Sequence, residues 1–190
     1  MENLLDEIRQ CKACVPHLEL GPRPIVSADI ESKIVIIGQA PGAIVHNSGI
    51  PWNDLSGKNL RDWMGIDEKT FYDPKKIAIV PMGFCYPGKG RSGDLPPRKE
   101  CAPLWHESLL SRMKKVQLIL LIGKYAQHHY LDQKTKKNLT ETVKSYKDYL
   151  PNYFVLPHPS PRNNIWQAKN PWFKSEVLPE LRQRVKELLK

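Results

Sequence analysis

The chain has 190 residues and a mass of 21.9 kDa, a length that suits one compact domain over residues 1–190 and argues against two. Hydrophobic residues at 41% and charged residues at 26% are globular proportions and exclude a disordered chain. With 29 Lys and Arg against 20 Asp and Glu, the formal net charge of +9 favours a polyanionic partner, most simply nucleic acid.

The first predicted element is a helix over residues 3–11, which places Leu4, Leu5 and Ile8 on one face. A buried strand over 33–38 hands over to Gly38-Gln39-Ala40-Pro41-Gly42. A turn-like Asn53-Asp54-Leu55-Ser56 precedes a helix over 57–64. A second strand over 76–82 leads into Pro81-Met82-Gly83-Phe84-Cys85-Tyr86-Pro87. The stretch 86–97, rich in Gly, Pro and basic residues, reads as a long surface loop. A helix follows over 98–113, with Pro103 delaying its start. Then come a strand over 116–123, helices over 124–131 and 140–150, a strand over 153–156, and a closing helix over 172–189. Strands alternating with helices predict an α/β sandwich with a mostly parallel sheet. No apolar run is long enough to span a bilayer, and the acidic start lacks a basic region followed by an apolar core. The expectation is therefore a cytoplasmic chain without membrane contact.

In an open parallel sheet, ligands bind beyond the carboxyl ends of the strands, so the loops after the first, second and fourth strands should converge on one cleft. In the first, glycine permits close approach of a ligand and proline fixes the turn. It is neither a P-loop nor a serine elbow, and a plain structural turn has the same composition. The loop His158-Pro159-Ser160-Pro161-Arg162-Asn163-Asn164 is stiffened by prolines and displays a histidine, a hydroxyl, an arginine and amides. That set suits a fixed donor and a phosphate contact; the bland alternative is a polyproline-like surface turn. Trp52, after Gly49-Ile50-Pro51, is either a stacking platform for a base or a core anchor. Cys11 and Cys14 form a C-x2-C pair, and Cys85 and Cys101 complete a set of four. Such a set suits zinc or an iron–sulfur cluster; four unrelated cysteines is the alternative.

Taken together, these segments resemble the uracil-DNA glycosylase superfamily, most closely its iron–sulfur (family 4 type) branch. Gly38 to Gly42 matches the family's first motif, and His158 to Ser160 its histidine–proline–serine loop. Gly49-Ile50-Pro51-Trp52 matches its Gly-x-Pro-aromatic segment, and the four cysteines match the cluster ligands in order. Pro161-Arg162-Asn163 is similar to the loop of single-strand-selective members. The resemblance implies a three-layer sandwich around a central four-stranded sheet. It implies an enzyme that hydrolyses the glycosidic bond of uracil, or a related deaminated base, flipped from single-stranded DNA or damaged duplex. A monomer is the default expectation, with no interface signal in the sequence to set against it. His158, Gln39 and Ala40 would be catalytic. Gly38, Pro41, Gly42, Trp52, Ser160, Arg162 and Asn163 would bind substrate. Cys11, Cys14, Cys85 and Cys101 would hold a [4Fe–4S] cluster, with zinc or no metal as alternatives. The first motif departs from the branch in having Gln39 where an acidic residue is usual. The best-known uracil-excising branch also has glutamine there but follows it with an aspartate, where this chain has Ala40, so the motif has no carboxylate. Pro81 stands where the iron–sulfur branch has an asparagine. His46 and Asp54 are reserve candidates for handling water. A non-catalytic DNA-binding protein on the same fold is the alternative function. A cysteine-dependent hydrolase using Cys85 is a third, disfavoured because Cys85 fits the metal set.

Overall fold

The computed structural model describes every residue from Met1 to Lys190. Helix α1 (Glu2–Arg9) buries Leu4, Leu5 and Ile8. Strand β1 (Ile34–Ile37) is followed by α2 (Ala43–Ser48), α3 (Leu55–Met64) and α4 (Glu68–Phe71). Strand β2 (Ile77–Ile79) precedes a hairpin of β3 (Lys89–Gly90) and β4 (Gly93–Asp94). A π-helical segment, Ala102–His106, runs into α5 (Glu107–Leu110). Then come β5 (Leu118–Ile122), α6 (Gly123–Leu131), α7 (Leu139–Lys144), β6 (Tyr153–Leu156), α8 (Asn164–Lys169) and α9 (Leu178–Leu189).

The main sheet has the order β2-β1-β5-β6 and is parallel throughout. Every side chain of β1 is fully buried. Successive side chains of a strand point to opposite faces, so both faces of the sheet must be covered, which makes three layers. Helices supply the outer layers around one core cluster of 39 buried residues. From β1 the chain moves outward to β2 and then returns to β5 on the other side. Strand β1 therefore sits at the topological switch point, where a crevice opens at the carboxyl ends.

Local chemistry explains where the elements stop. Asp54 accepts a hydrogen bond from Gly57 N (2.8 Å) and starts α3, which ends at Gly65 in the left-handed region. The sequence reading places a helix over 140–150; the structure breaks it after Lys144, and a 3-10 turn Tyr146–Tyr149 follows. The expected helix over 98–113 is confined to 102–110, with Pro103 in its widened first turn. Residues 86–97 are not one irregular loop. The hairpin β3–β4 lies within them, and Tyr86, Pro87 and Gly88 are buried.

Candidate active site

A cleft of about 520 Å³ opens at the carboxyl ends of β1 and β6. Its walls are the loop 38–42, Pro51 and Trp52, the start of α3, the β3–β4 hairpin, and His158, Ser160 and Arg162. The ladder between β1 and β2 continues beyond both strands. Val80 N donates to Ile36 O, Met82 N to Gly38 O and Gly83 N to Gln39 O, at 2.9–3.0 Å. The carbonyls of Gly38 and Gln39 are thereby occupied, whereas that of Ala40 accepts no hydrogen bond from the protein. The first loop is thus a rigid shelf with one free acceptor and the Gln39 side chain beside it.

Trp52 lies beside the histidine: the ring centroids of Trp52 and His158 are 5.7 Å apart, with an interplanar angle of 33°. Its backbone is left-handed (φ 55°), uncommon for so bulky a residue. Two glycines make room for it. A Cβ on Gly38 would lie 2.7 Å from the far edge of the indole, and one on Gly57 would lie 1.7 Å from the Trp52 carbonyl oxygen. Gly57 is a site residue that sequence reasoning missed; a glycine in the first turn of a predicted helix was its only signal.

The histidine loop is held by amide side chains. Gln127 Nε2 donates to Leu156 O (2.9 Å) at the end of β6, Asn163 Nδ2 to His158 O (2.7 Å), and Asn59 Nδ2 to Pro159 O (2.8 Å). Asn163, expected to bind substrate, lies outside the cleft wall, its amide engaged in holding the loop. Ser160 Oγ accepts from Arg162 N (3.3 Å), and Arg162 is exposed at the rim. Burial holds the His158 imidazole below its usual pKa, opposed by the charges of Asp54 and Asp94. It is therefore neutral near pH 7 and able to donate one N–H and accept at the other nitrogen. His46 is buried in α2, does not line the cleft, and leaves Nδ1 without a partner.

A model of the uracil DNA glycosylase superfamily matches residues 25–182. The chain belongs to that superfamily. Its curated relatives include the Type-4 uracil-DNA glycosylase of Thermotoga maritima, 26% identical over 167 residues, covering 84% of this chain and 81% of the relative. Within the superfamily match lie all the cleft-lining residues; Cys11 and Cys14 precede it.

This superfamily member also carries a second, smaller cavity that all four cysteines line, together with Leu18, Phe84, Arg98 and Trp105. None of the cysteines is in a disulfide, and Cys14, Cys85 and Cys101 are buried. Burial pushes the Cys85 thiol up to about 12 and the Cys101 thiol up to about 11, so bare thiolates there would be costly. Trp105 Nε1 and Arg98 Nε are buried donors without partners, on two residues that line the same cavity. Four thiols ringed by apolar groups and spare N–H donors fit a thiolate-ligated cluster. No group of three or more Cys, His, Asp or Glu side chains converges closely enough to hold a single metal ion. No helix is long and apolar enough to cross a membrane.

Proposed function

We propose that the chain is a DNA-repair glycosylase that hydrolyses the bond between deoxyribose and uracil, or a related deaminated base, extruded from DNA into the cleft. The observation that carries this is the meeting of Trp52 and a neutral His158, ring centroids 5.7 Å apart, on the wall of one cleft at the sheet's switch point. An aromatic wall is worth about 1–3 kcal/mol per stacked base, which offsets much of the few kcal/mol that extrusion costs. As the bond breaks, its electron pair moves onto the base and charge collects on the ring oxygens. The His158 N–H donates to that charge in a site held by Gln127, Asn163 and Asn59, so little reorganisation accompanies the reaction. Gln39 and the free Ala40 carbonyl orient the attacking water. Arg162, Ser160 and Lys89 at the rim grip the backbone phosphates of a single strand or a damaged duplex.

Cys11, Cys14, Cys85 and Cys101 would hold a [4Fe–4S] cluster. Its thiolate bonds would fasten the end of α1 to the segment between Cys85 and Cys101, adding folding free energy. In this reading residues 1–190 act as one domain and as a cytoplasmic monomer.

The test is base release from uracil-containing single-stranded and duplex oligonucleotides, scored by alkaline cleavage of the abasic product. The wild type should leave abasic sites. His158→Ala should lose about 10²–10³-fold in rate while DNA affinity stays within about twofold, since the donor acts on charge that develops late. Binding without any base release would refute the glycosylase and favour a non-catalytic reader of damaged DNA.

A further inference from the structure

Hydrolysis of a glycosidic bond must dispose of a proton from the attacking water, and the first loop, Gly38-Gln39-Ala40-Pro41-Gly42, contains no carboxylate to take it. Two carboxylates line the cleft, Asp54 and Asp94. Asp54 is committed elsewhere: its Oδ1 caps α3, accepting from Gly57 N at 2.8 Å, although its charge also reaches His158.

Asp94 is placed differently. It closes the β3–β4 hairpin, opposite Lys89 in register, yet belongs to no ion pair. Its Oδ1 lies 3.4 Å from the Tyr86 hydroxyl. Its Oδ2 makes no hydrogen bond and reaches over the first loop, 3.3 Å from where a Cβ on Gly42 would stand. Gly93, before it, adopts φ 141°, a conformation that L side chains rarely adopt, and a Cβ there would be 3.4 Å from Arg162 Nη1. The hairpin therefore sets a free carboxylate oxygen beside the glycine loop and an arginine beside its tip. A carboxylate with one oxygen unpaired repels phosphates entering the cleft, a cost that a role in the chemistry would offset. The charge of Asp94, like that of Asp54, is felt at His158, where both partly offset the effect of burial.

We propose that Asp94 is the general base of this site, a catalytic role supplied by the hairpin in place of the first loop; the inference rests on the glycosylase reading above. The water oxygen bonds to C1′ as the C1′–N bond breaks and its electron pair leaves on the base, held by His158. The proton from that water passes to Asp94 Oδ2 and then to solvent, from which the departed base is reprotonated. Gln39 orients the water and takes no proton.

The test compares the wild type, Asp94→Asn, Asp94→Ala and Asp54→Asn in single-turnover base release, DNA binding and thermal melting. Positioned bases contribute about 10²–10⁴-fold. Asp94→Asn should lose about 10²–10³-fold in rate with DNA affinity unchanged or tighter, because a negative charge leaves the cleft. Added formate should restore part of the activity of Asp94→Ala, which a merely structural role would not allow. Asp54→Asn, with a cap of equal quality, should stay within about tenfold. If the wild type is active and Asp94→Asn retains its rate, the inference fails and the glycosylase reading stands. The same holds if the loss falls on Asp54→Asn instead, or if Asp94→Asn loses binding or melting temperature in parallel. If the wild type itself releases no base from any substrate, both fail together.

Discussion

A methyl group added at Gly57 should disable the cleft from a position that never touches substrate. Its Cβ would stand 1.7 Å from the Trp52 carbonyl oxygen, 2.6 Å from the carbonyl carbon and 2.8 Å from the Trp52 Cβ. The obstacle is backbone, so the chain at Trp52 must retreat by more than about 1 Å to reach ordinary contact distance. That retreat also disturbs the bond from Gly57 N to Asp54 that starts α3. Overpacking costs about 1–3 kcal/mol and a damaged cap about 0.5–2 kcal/mol, so Gly57→Ala should be destabilised by about 2–4 kcal/mol. For a chain of this length that lowers Tm by about 5–15 °C. Base release below the melting transition should fall by about 10²-fold, the usual consequence of moving a positioning group by 1 Å. Gly38→Ala provides the contrast. Its Cβ would meet the indole edge at 2.7 Å, and a side chain can tilt where a backbone cannot. It should cost less than about 1.5 kcal/mol of stability yet lose about 5–100-fold in base release, the worth of the stacking face. Thermal melts and base-release rates on both variants decide the matter. If Gly57→Ala melts within 2 °C of the wild type, or Gly38→Ala cleaves at the wild-type rate, the two glycines do not seat Trp52 and the argument is wrong.

Two further outcomes follow from buried groups outside the cleft. Burial lowers the His106 pKa to about 4 from an ordinary 6.5. Between those values the unfolded chain binds a proton that the folded chain refuses, so stability is intact above pH 6.5 and falls as pH drops toward 4. The loss from this residue is at most about 3 kcal/mol. Urea melts across this range on wild type and His106→Gln should show the shallower acid dependence in the variant; parallel curves would refute it. Anaerobically purified protein should be brown and contain iron and acid-labile sulfide, and Cys85→Ser should lose both and melt at lower temperature. Colourless wild-type protein without iron would reject the cluster.

The sheet was legible because its strands are buried on both faces and so read as unbroken Ile, Val and Leu runs. The strand over 76–82 was read too long for a definite reason. Hydrogen bonding continues through Val80, Met82 and Gly83 onto the first loop after regular pairing ends. The hairpin was invisible because its strands are two residues each, built from Lys89, Gly90, Gly93 and Asp94, with no apolar alternation. Helices α2 and α8 have six residues each, less than two turns and too short for a helical period to register. Trp52 and His158 were found as chemistry-bearing types in stiff loops, but no rule of residue type places a tryptophan in the left-handed region; that follows from Gly38 and Gly57, distant from each other in sequence.

His106 shows how far the support of the site extends. The carbonyl of Pro81 can only accept, so His106 Nε2 must carry the hydrogen that meets it at 3.0 Å. Nδ1 is then an acceptor, and the Tyr130 hydroxyl must donate to it. The tautomer is fixed by the backbone of the cleft wall at one end and by a tyrosine of α6 at the other, with Phe84 stacked on the ring. The loop after β2 is thus tied to α6, as the loop after β6 is tied to α3 by Asn59 and to α6 by Gln127. Helix α6 therefore braces two walls of the cleft while contributing no side chain to its lining. A neutral, doubly bonded histidine does this without placing a charge against the cleft wall at Pro81.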